Sequence, residues 1–451
     1  GILLLAGGLG LATNAGRLLT LKEYTQYSMR GKPELTPKDN NKPKDGGLDK
    51  DYVFSWSNGK METFTLLIPG FYGGSSSEST KKKSNVAKAL RNANASVKDF
   101  PKSPTYWGDQ PFTSGPVYAG AIVIFLFILG FFVLDNRYKY WLGAVAFFSI
   151  MLTWGRNFEL LNFTMYDYFP SYNQFRSVTM AIFIAQMAIP IMGALALDKL
   201  LQQEYTPELR KKLLMAGGIT AGLCLLFAVF PGLAGDFSSP NDERMKLPDW
   251  LMGAIEDDRK DMLQGDAFRS LIFVVIAFAF VFLYFTGKAR LNGNMVVGII
   301  IMLTLADLWM VDKRYLNKEN FVEKNDIQRE FEPTEADNLI LTDKDPNYRV
   351  LNLNNPFNES RTSYLHKSIG GYSPVKVRRY QDLIENDLTQ EIEFVISKLR
   401  EGATSLDFLA ETRILNMLNT RYIKAAEEAR GVIKNPNAMG NAWFVSDVLE
   451  V

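Results

Sequence analysis

Long apolar blocks divide the sequence and predict a helical membrane protein. Runs such as AGAIVIFLFILGFFVL and SLIFVVIAFAFVFLYF are apolar all round, whereas buried helices of a soluble domain would alternate apolar and polar faces at a 3.6-residue period. A span needs roughly 20 mostly apolar residues, and the shorter blocks reach that length with their aromatic flanks. The predicted spans are Tyr118–Leu134, Trp141–Trp154, Val178–Leu197, Leu213–Leu233, Leu271–Phe285 and Met295–Val311, and Gly1–Ala12 predicts the end of a seventh.

Basic residues in the short connections predict the orientation of these spans. Lys and Arg accumulate in cytoplasmic loops, and here they cluster at 137–139, 199–212 and 288–290. We therefore assign this side to the cytoplasm, and the opposite, external side receives the loops 155–176 and 234–267. The second of these loops carries nine acidic residues against four basic ones, which keeps the contrast in charge between the two sides.

The topology predicts four regions. They are the end of a transmembrane helix at 1–12, a large external (periplasmic) segment at 13–117, a transmembrane domain of six helices at 118–311 and an external soluble α+β domain at 312–451. The predicted fold class is a polytopic α-helical membrane protein of about six to seven spans, with an external loop insertion and a C-terminal soluble α+β domain. No basic segment precedes Gly1, so we expect a fragment that lacks the N-terminal part of a longer protein.

Shorter patterns predict the structure outside the spans. Alternating residues at Tyr52–Trp56 and Glu62–Ile68, on either side of Asn58-Gly59, predict two short strands joined by a turn. In the C-terminal region we expect a helix end, a turn and a strand in DNLILTDKDPNYRVLNLN, a helix leading to a strand in TSLDFLAETRILNMLNTRYIKA, and a further strand in NAWFVSDVLEV.

Composition excludes several kinds of site. The chain is 47% hydrophobic with a net charge of +1. Cys224 is the only cysteine, so no disulfide forms within the chain, and His366 is the only histidine, which argues against a His-rich metal site or a His-based triad. The sequence has no phosphate-binding Gly-rich loop, no GxSxG motif and no metal-ligand spacing, so we assign no metal ligands.

The segment Trp154–Met180 mixes ionisable and aromatic residues between two apolar blocks. Arg176 precedes the predicted span at Val178, where a helix N-terminus attracts anions and a guanidinium group can bind phosphate with two hydrogen bonds. Tyr172 and Asn173 shape a turn beside it. We predict that Arg176 contacts a phosphate; the alternative is an interfacial arginine without a ligand.

Two carboxylates of the same segment are weaker catalytic candidates. Glu159 and Asp167 flank the aromatic run LLNFTMYDYF. Each could act as a base towards an acceptor hydroxyl or hold a metal ion. The alternative is a capping role or an ion pair with Arg156.

Three residues of YWGDQPFTSGP are candidates for binding a sugar. Trp107 could stack on a sugar face, while Asp109 and Gln110 could hydrogen-bond its hydroxyls. The alternative is the aromatic belt at the membrane surface. Asp307, within the last predicted span, is a further functional candidate, unless it only caps or pairs.

The densest polar cluster of the C-terminal region is basic. Residues 358–384 include Arg361 and His366 and could face lipid headgroups or an anionic ligand, unless they form only a solvated surface. Nucleic-acid binding is not expected, because the predicted topology places this cluster outside the cell.

Four motifs together resemble a known family. YWGDQPFTSGPVYAGA, NFELLNFTMYDYFPSYNQFRSVTM, NESRTSYLHKSIGGYSPVKVRRYQDLI and ILNMLNTRYIKA, in this order, resemble the YfhO family of bacterial integral membrane proteins in its Bacteroidetes form. The resemblance implies a GT-C type glycosyltransferase of the inner (cytoplasmic) membrane that uses a polyprenyl-phosphate sugar on the external face. It also implies a catalytic acid in a first external loop upstream of this sequence. By loop position, the resemblance implies that Arg176 contacts the phosphate. It implies in the same way that the cavity is lined by Trp107, Asp109, Gln110, Tyr172 and Asn173.

The resulting hypothesis is sugar transfer from a lipid-linked donor to a cell-envelope acceptor. A divalent metal ion is compatible with this chemistry but is not required, and the partners are donor, acceptor, membrane lipid and proteins at the external domains. The alternatives are a non-catalytic scaffold subunit of an envelope or secretion assembly and, less favoured, a transporter, which would show charges at mid-span.

Overall fold

The chain folds mostly into helices, as a computed structural model shows for residues 1–33, 46–287, 290–403 and 405–445. Its contacts divide it into a helical unit, Lys50–Asn320, and a terminal unit, Gly1–Asp49 with Phe321–Val451. The segment 13–117, predicted as one external region, is shared between these two units.

Helices and strands are numbered along the chain. The helices are α1 Ile2–Thr13, α2 Ala15–Tyr27, α3 Lys50–Val53, α4 Asn85–Asn92, α5 Ala121–Val133, α6 Asn136–Thr153, α7 Glu159–Tyr168, α8 Ile182–Leu201, α9 Pro207–Val229, α10 Asp242–Met245, α11 Asp249–Phe285, α12 Gly293–Tyr315, α13 Lys324–Glu330, α14 Glu335–Ile340, α15 Arg361–Leu365, α16 Arg378–Leu383, α17 Thr389–Arg400 and α18 Arg413–Met417. The strands are β1 Glu78–Ser79, β2 Lys102–Ser103, β3 Arg349–Asn352, β4 Thr420–Lys424 and β5 Val432–Lys434. Short 3₁₀ helices lie at Met61–Leu66, Gly155–Phe158, Tyr172–Gln174, Val178–Ala181, Pro231–Leu233, Lys318–Asn320, Asp407–Glu411 and Ala429–Gly431, and a π turn at Ile384–Leu388.

Each of the six predicted apolar blocks forms a helix. Among the described residues, four helices are long and apolar enough to cross a membrane: Val178–Leu201, Pro207–Val229, Asp249–Phe285 and Gly293–Tyr315. Less than half of each apolar stretch is buried, so many Leu, Ile and Phe side chains face outward, as in a bundle surrounded by lipid. The structure is mostly helical with four candidate spans, which is consistent with a helical membrane protein, and the larger predicted number of spans stays a prediction.

Helix α5 is the centre of the bundle. It is buried along most of its length and packs against α8, α9, α11 and α12. The approach of α5 to α8 depends on two glycines, because a Cβ at Gly130 would lie 2.8 Å from Cγ of Met192 and a Cβ at Gly193 would lie 3.1 Å from Cβ of Leu126. Small residues at such contacts let membrane helices approach closely.

Two predictions of local structure in the helical unit are wrong. The residues assigned to a loop at 234–267 enter helix α11 at Asp249, and this 37-residue helix is about 55 Å long, so its first half is polar helix. The expected strands at 52–56 and 62–68 are replaced by α3 and the 3₁₀ helix at Met61–Leu66. The Glu62 carboxylate accepts a hydrogen bond from the Gly59 N–H at 3.0 Å and thereby favours a helical turn.

The predicted loop 155–176 is also largely helical. It contains α7 between two 3₁₀ helices, and its described residues lead through a third 3₁₀ helix into α8. Within α7, Asn162 and Tyr166 face inward, whereas Leu160 and Tyr168 are exposed. The mixture of aromatic and polar residues therefore reflects a short helix with one buried side.

The terminal unit contains a three-stranded mixed sheet. Strand β3 pairs in parallel with β4, which pairs antiparallel with β5. A core around Leu351, Leu388 and Ile423 joins the sheet to α17 and its preceding turn. The expected helix, turn and strand at α14 and β3, and the helix leading into β4, are confirmed. Residues 441–445 do not form the expected strand, and the remainder of that motif, 446–451, lies outside the described residues.

Candidate functional site

A cavity of about 270 Å³ lies in the helical unit beside the start of α8. One wall is formed by residues 58–74, another by 106–117, and the third by Thr179, Met180 and Ile182. The lining combines hydroxyl, amide and aromatic side chains with a larger apolar surface, and Glu62 is its only carboxylate among the described residues.

Glu62 is buried, and no cation pairs with it in the described part of the chain. Its residue is 8% exposed, and its carboxylate accepts hydrogen bonds from the Gly59 N–H at 3.0 Å, the Tyr106 hydroxyl at 3.0 Å and the Gln110 amide at 3.1 Å. Burial raises the pKa of Glu62 from its usual value of 4.5 to about 7, although these three hydrogen bonds act to lower it. The side chain can therefore exchange a proton near neutral pH.

A chain of amides connects Glu62 to the surface. Gln110 donates to the side-chain oxygen of Asn58 at 2.9 Å, and Asn157 donates to the backbone oxygen of Asn58 at 2.9 Å. Asn157 also donates to the exposed carboxylate of Asp109 at 2.8 Å. The structure thus places two of the predicted residues, Asp109 and Gln110, in one hydrogen-bonded network with Glu62.

Trp107 does not line the cavity. Its ring is buried and stacks on Tyr72 with centroids 4.2 Å apart, and Phe237 packs against it at 5.1 Å. The ring that borders the cavity here is Tyr72. The Trp107 ring is therefore packed against other rings and not turned towards the cavity, and its stacking on a sugar stays a prediction.

Arg176 lies just outside the cavity. Its guanidinium donates to the Tyr52 hydroxyl at 2.5 Å and sits over the rings of Tyr52 and Trp56, at 5.4 and 5.6 Å from their centroids. Among the described residues, no carboxylate pairs with it. The segment that follows it supplies the α8 side of the cavity wall.

The other candidates of the 155–176 segment lie away from the cavity lining. Asp167 pairs with Lys50 at 2.9 Å on the surface, and Glu159 is exposed at the first residue of α7. The alternative pairing of Glu159 with Arg156 is not seen, because the Arg156 guanidinium donates to backbone oxygens of residues 51 and 54. Tyr172 donates to Asn162 at 3.3 Å, and Asn173 is half-buried nearby.

His366 and Arg361 belong to a buried ion cluster in the terminal unit. The Asp337 carboxylate lies 2.9 Å from Nζ of Lys424, 3.1 Å from Nε2 of His366 and 3.2 Å from Nη2 of Arg361. Together with Thr334 it also forms the capping box at the start of α14. Burial lowers the pKa of His366 and so favours its neutral form. In this structure both residues contact the Asp337 carboxylate, and the prediction that they bind substrate stays a prediction.

Asp307 forms an ion pair with Arg269 inside the bundle, in line with the interpretation that it only caps or pairs. Its carboxylate accepts hydrogen bonds from the Tyr118 hydroxyl, the Ala121 N–H and the Arg269 guanidinium at 2.7 to 2.9 Å. These contacts join the start of α5 to α11 and α12. No group of three or more His, Cys, Asp or Glu residues capable of holding a metal ion occurs in the described part of the chain.

Comparisons with protein-family models, curated proteins and solved structures find no match for this chain. The resemblance to the YfhO family therefore stays a prediction, and assignment of the site depends on its geometry. The residue that sequence reasoning missed is Glu62. The sequence places one acid three residues after Gly59, in a segment that continues into the mostly apolar run TFTLLIP. This pattern could have indicated a capped turn with a buried carboxylate.

Proposed function

We propose that the protein is a membrane-embedded glycosyltransferase of GT-C type. It would transfer a sugar from a polyprenyl-phosphate donor to a cell-envelope acceptor on the external face of the bacterial inner membrane, with six or more spans in place. The observation that carries the proposal is Glu62, a buried carboxylate on a cavity wall whose pKa is raised to about 7. The four candidate spans support the membrane location.

Glu62 would act as the general base. It takes the proton of an acceptor hydroxyl while that oxygen attacks the anomeric carbon of the donor, and the bond from this carbon to the phosphate oxygen breaks with its electron pair leaving on the phosphate. A base with a pKa near the working pH is both ionised in part and strong enough to accept the proton. This assignment places the catalytic carboxylate within the present sequence, in contrast to the expectation of an upstream acid.

Arg176 would stabilise the departing phosphate. Its positive charge has no carboxylate partner among the described residues, and it precedes by three residues the first wall residue from the α8 side, Thr179. Charge that develops on the leaving phosphate is stabilised by a guanidinium already held in place, and the Tyr52 hydroxyl holds this one.

The amide network would bind the sugar. Asn58 and Gln110 line the cavity and hold amide groups next to the Glu62 carboxylate. Side-chain amides donate and accept hydrogen bonds and so match the hydroxyls of a sugar. Tyr72, which borders the cavity, offers an aromatic ring at the place where the sequence suggested Trp107.

The test compares Glu62→Gln with Glu159→Gln in cells that lack their own copy of the gene. Glycans of the cell envelope are profiled by mass spectrometry after expression of each full-length variant at equal membrane level. We expect wild type and E159Q to restore the missing sugar and E62Q to leave it missing. Full restoration by E62Q would reject Glu62 as the base and favour the scaffold alternative, which needs no titrating carboxylate.

A further inference from the structure

A second cavity, of about 530 Å³, lies in the helical unit at the end of the apolar segments of α11 and α12. One wall is the polar half of α11 as far as Arg269, the last charged residue before its apolar run, and another is the loop 78–84. Arg314, in the last turn of α12, completes it. Phe268 and Trp309 are exposed on the same helices, so this region borders the lipid-facing surface.

Two side chains that line this second cavity hold hydrogen-bond donors for which the described residues supply no acceptor. The Arg269 side chain is 10% exposed, and its Nη2 donates to the Asp307 carboxylate at 2.7 Å. Its Nε and Nη1 are buried and have no partner, and the same is true of the Ser103 hydroxyl, which lines the same cavity. Buried polar groups almost always have partners, so a missing acceptor is indicated here.

The acidic residues of the second cavity already have hydrogen-bond partners other than Arg269. Both Asp258 oxygens accept from backbone N–H groups at the start of α4, at 2.6 and 3.2 Å, and Asp261 accepts from the Asn85 amide at 2.8 Å. Asp266 forms two hydrogen bonds with Arg314, at 2.6 and 2.7 Å. Glu78 interacts with the Tyr315 hydroxyl. None of these carboxylates is hydrogen-bonded to Arg269.

The entrance of the second cavity carries unpaired positive charge. Lys81 and Lys83 are exposed and line it, and neither forms an ion pair within the described ranges. An incoming anion would therefore meet these two ammonium groups as well as the Nε and Nη1 donors of Arg269. Each of these separate donors can bind one oxygen of a tetrahedral anion.

We propose that the second cavity binds a phosphate group. Phosphate supplies several acceptor oxygens at once, enough for Nε and Nη1 of Arg269, the Ser103 hydroxyl and the lysines, and its negative charge offsets that of Lys81 and Lys83. Because the cavity borders the lipid-facing surface, the phosphate could belong to a phospholipid headgroup or to a soluble phosphate compound. The site does not depend on the proposed transferase function, since it lies on the other side of the 105–106 segment: Thr105 lines the second cavity, and Tyr106 lines the first.

The experiment uses the full chain purified in detergent. Binding of phosphatidylglycerol is measured by native mass spectrometry, and stabilisation by inorganic phosphate is measured as a shift of the thermal unfolding midpoint against chloride at equal ionic strength. The variants are Arg269→Gln and the double variant Lys81→Gln/Lys83→Gln. Arg137→Gln is the matched control, because Arg137 is an exposed arginine on α6 outside both cavities.

We expect R269Q to weaken phosphate-group binding about tenfold or more, the double variant to weaken it several-fold, and R137Q to leave it unchanged. Lipid retention that inorganic phosphate does not displace identifies a headgroup site, whereas stabilisation by phosphate without lipid retention identifies a soluble ligand. Equal binding by wild type and both test variants overturns the proposal. If R269Q fails to fold because Asp307 loses its partner, equal binding by wild type and the lysine double variant overturns it.

Discussion

Two buried carboxylates, Glu62 in the helical unit and Asp337 in the terminal unit, differ in what surrounds them. Glu62 is 8% exposed and Asp337 is 1% exposed, so burial acts to raise the pKa of both. The donors that reach Glu62 from the described residues are all neutral, and its pKa rises to about 7. Hydrogen bonds from Lys424, Thr334 and His366 outweigh burial at Asp337 and lower its pKa below the usual range.

The difference separates a structural acid from a chemical one. Asp337 is held ionised by cations, so its charge fixes α14 to β4 and α15 and is not available for proton transfer. Glu62 lies on a cavity wall and retains a proton that can be exchanged near neutral pH. Burial alone does not mark a catalytic carboxylate; burial without a cation, beside a cavity, does so better.

The largest expected effect is on the rate of transfer. Replacement Glu62→Gln should lower it by about 10²- to 10⁴-fold, the usual contribution of a general base. The initial rate is measured in membrane vesicles with a radiolabelled polyprenyl-phosphate sugar. Asp337→Asn is the contrasting variant, and its rate per folded molecule should match the wild type. A comparable loss in both variants would remove the distinction between the two acids.

Removal of Asp337 should have the larger effect on stability. Among the described residues, the change Asp337→Ala leaves the Lys424 ammonium, which is 2% exposed, with Glu427 as its one ionic partner, and the loss of one member of a buried pair costs about 3 kcal/mol. Hydrogen exchange should then increase in α14 and β4. The control is Asp326→Ala, because the Asp326 carboxylate pairs with Arg329 on the surface. Its removal should lower the free energy of unfolding by about 0.5 kcal/mol or less. Unchanged exchange in D337A would show that the cluster adds no stability.

The two acids should give stability opposite dependences on pH. Glu62 has a raised pKa in the folded protein, so its contribution is full below 4.5 and decreases as the pH rises to about 7, by about 3 kcal/mol at about 1.4 kcal/mol per pKa unit. The Asp337 contribution is present above its unfolded value of 3.8 and is lost as the pH falls below it.

This dependence is measured as the thermal unfolding midpoint of the full chain between pH 5 and 8. E62Q should be more stable than wild type at pH 8 and equal to it at pH 5, because a neutral amide avoids the cost of a buried charge. E159Q, at an exposed position, should follow the wild type throughout. A midpoint for E62Q below that of the wild type at pH 8 would contradict the raised pKa.

The long helices of the fold could be predicted from the sequence because a long apolar run indicates a helix that is surrounded by apolar groups on all sides. The six apolar blocks are helical, and the short α18 to β4 transition is where its pattern indicated. Helix α11 was missed over its first half, since hydropathy detects only the apolar part of a helix that continues as a polar one. The strands expected at 52–56 and 62–68 do not form, although apolar and polar residues alternate there. The hydrogen bond from the Gly59 N–H to the Glu62 carboxylate favours a helical turn instead.

The candidate site was only partly accessible from the sequence. Asp109 and Gln110 were selected for their chemistry, and the structure places both in the network around Glu62, while their role stays a prediction. Glu62 was not selected, because its environment depends on Tyr106, 44 residues away along the chain. Trp107 and His366 were selected by residue type, yet tertiary packing buries both.

The smallest predicted effect tests whether Glu62 is the group that titrates. Tyr106→Phe removes a hydroxyl that donates to the Glu62 carboxylate and favours its ionised form, so the pKa of Glu62 should rise. The midpoint of the rate against pH should move upward from about 7 by about one unit or less, with little change in the maximal rate. Tyr172→Phe is the matched control, because that hydroxyl donates to Asn162. A shift to lower pH, or equal profiles for both variants, would mean that another group sets the pH dependence and that Glu62, although buried beside the cavity, resembles Asp337 in being structural.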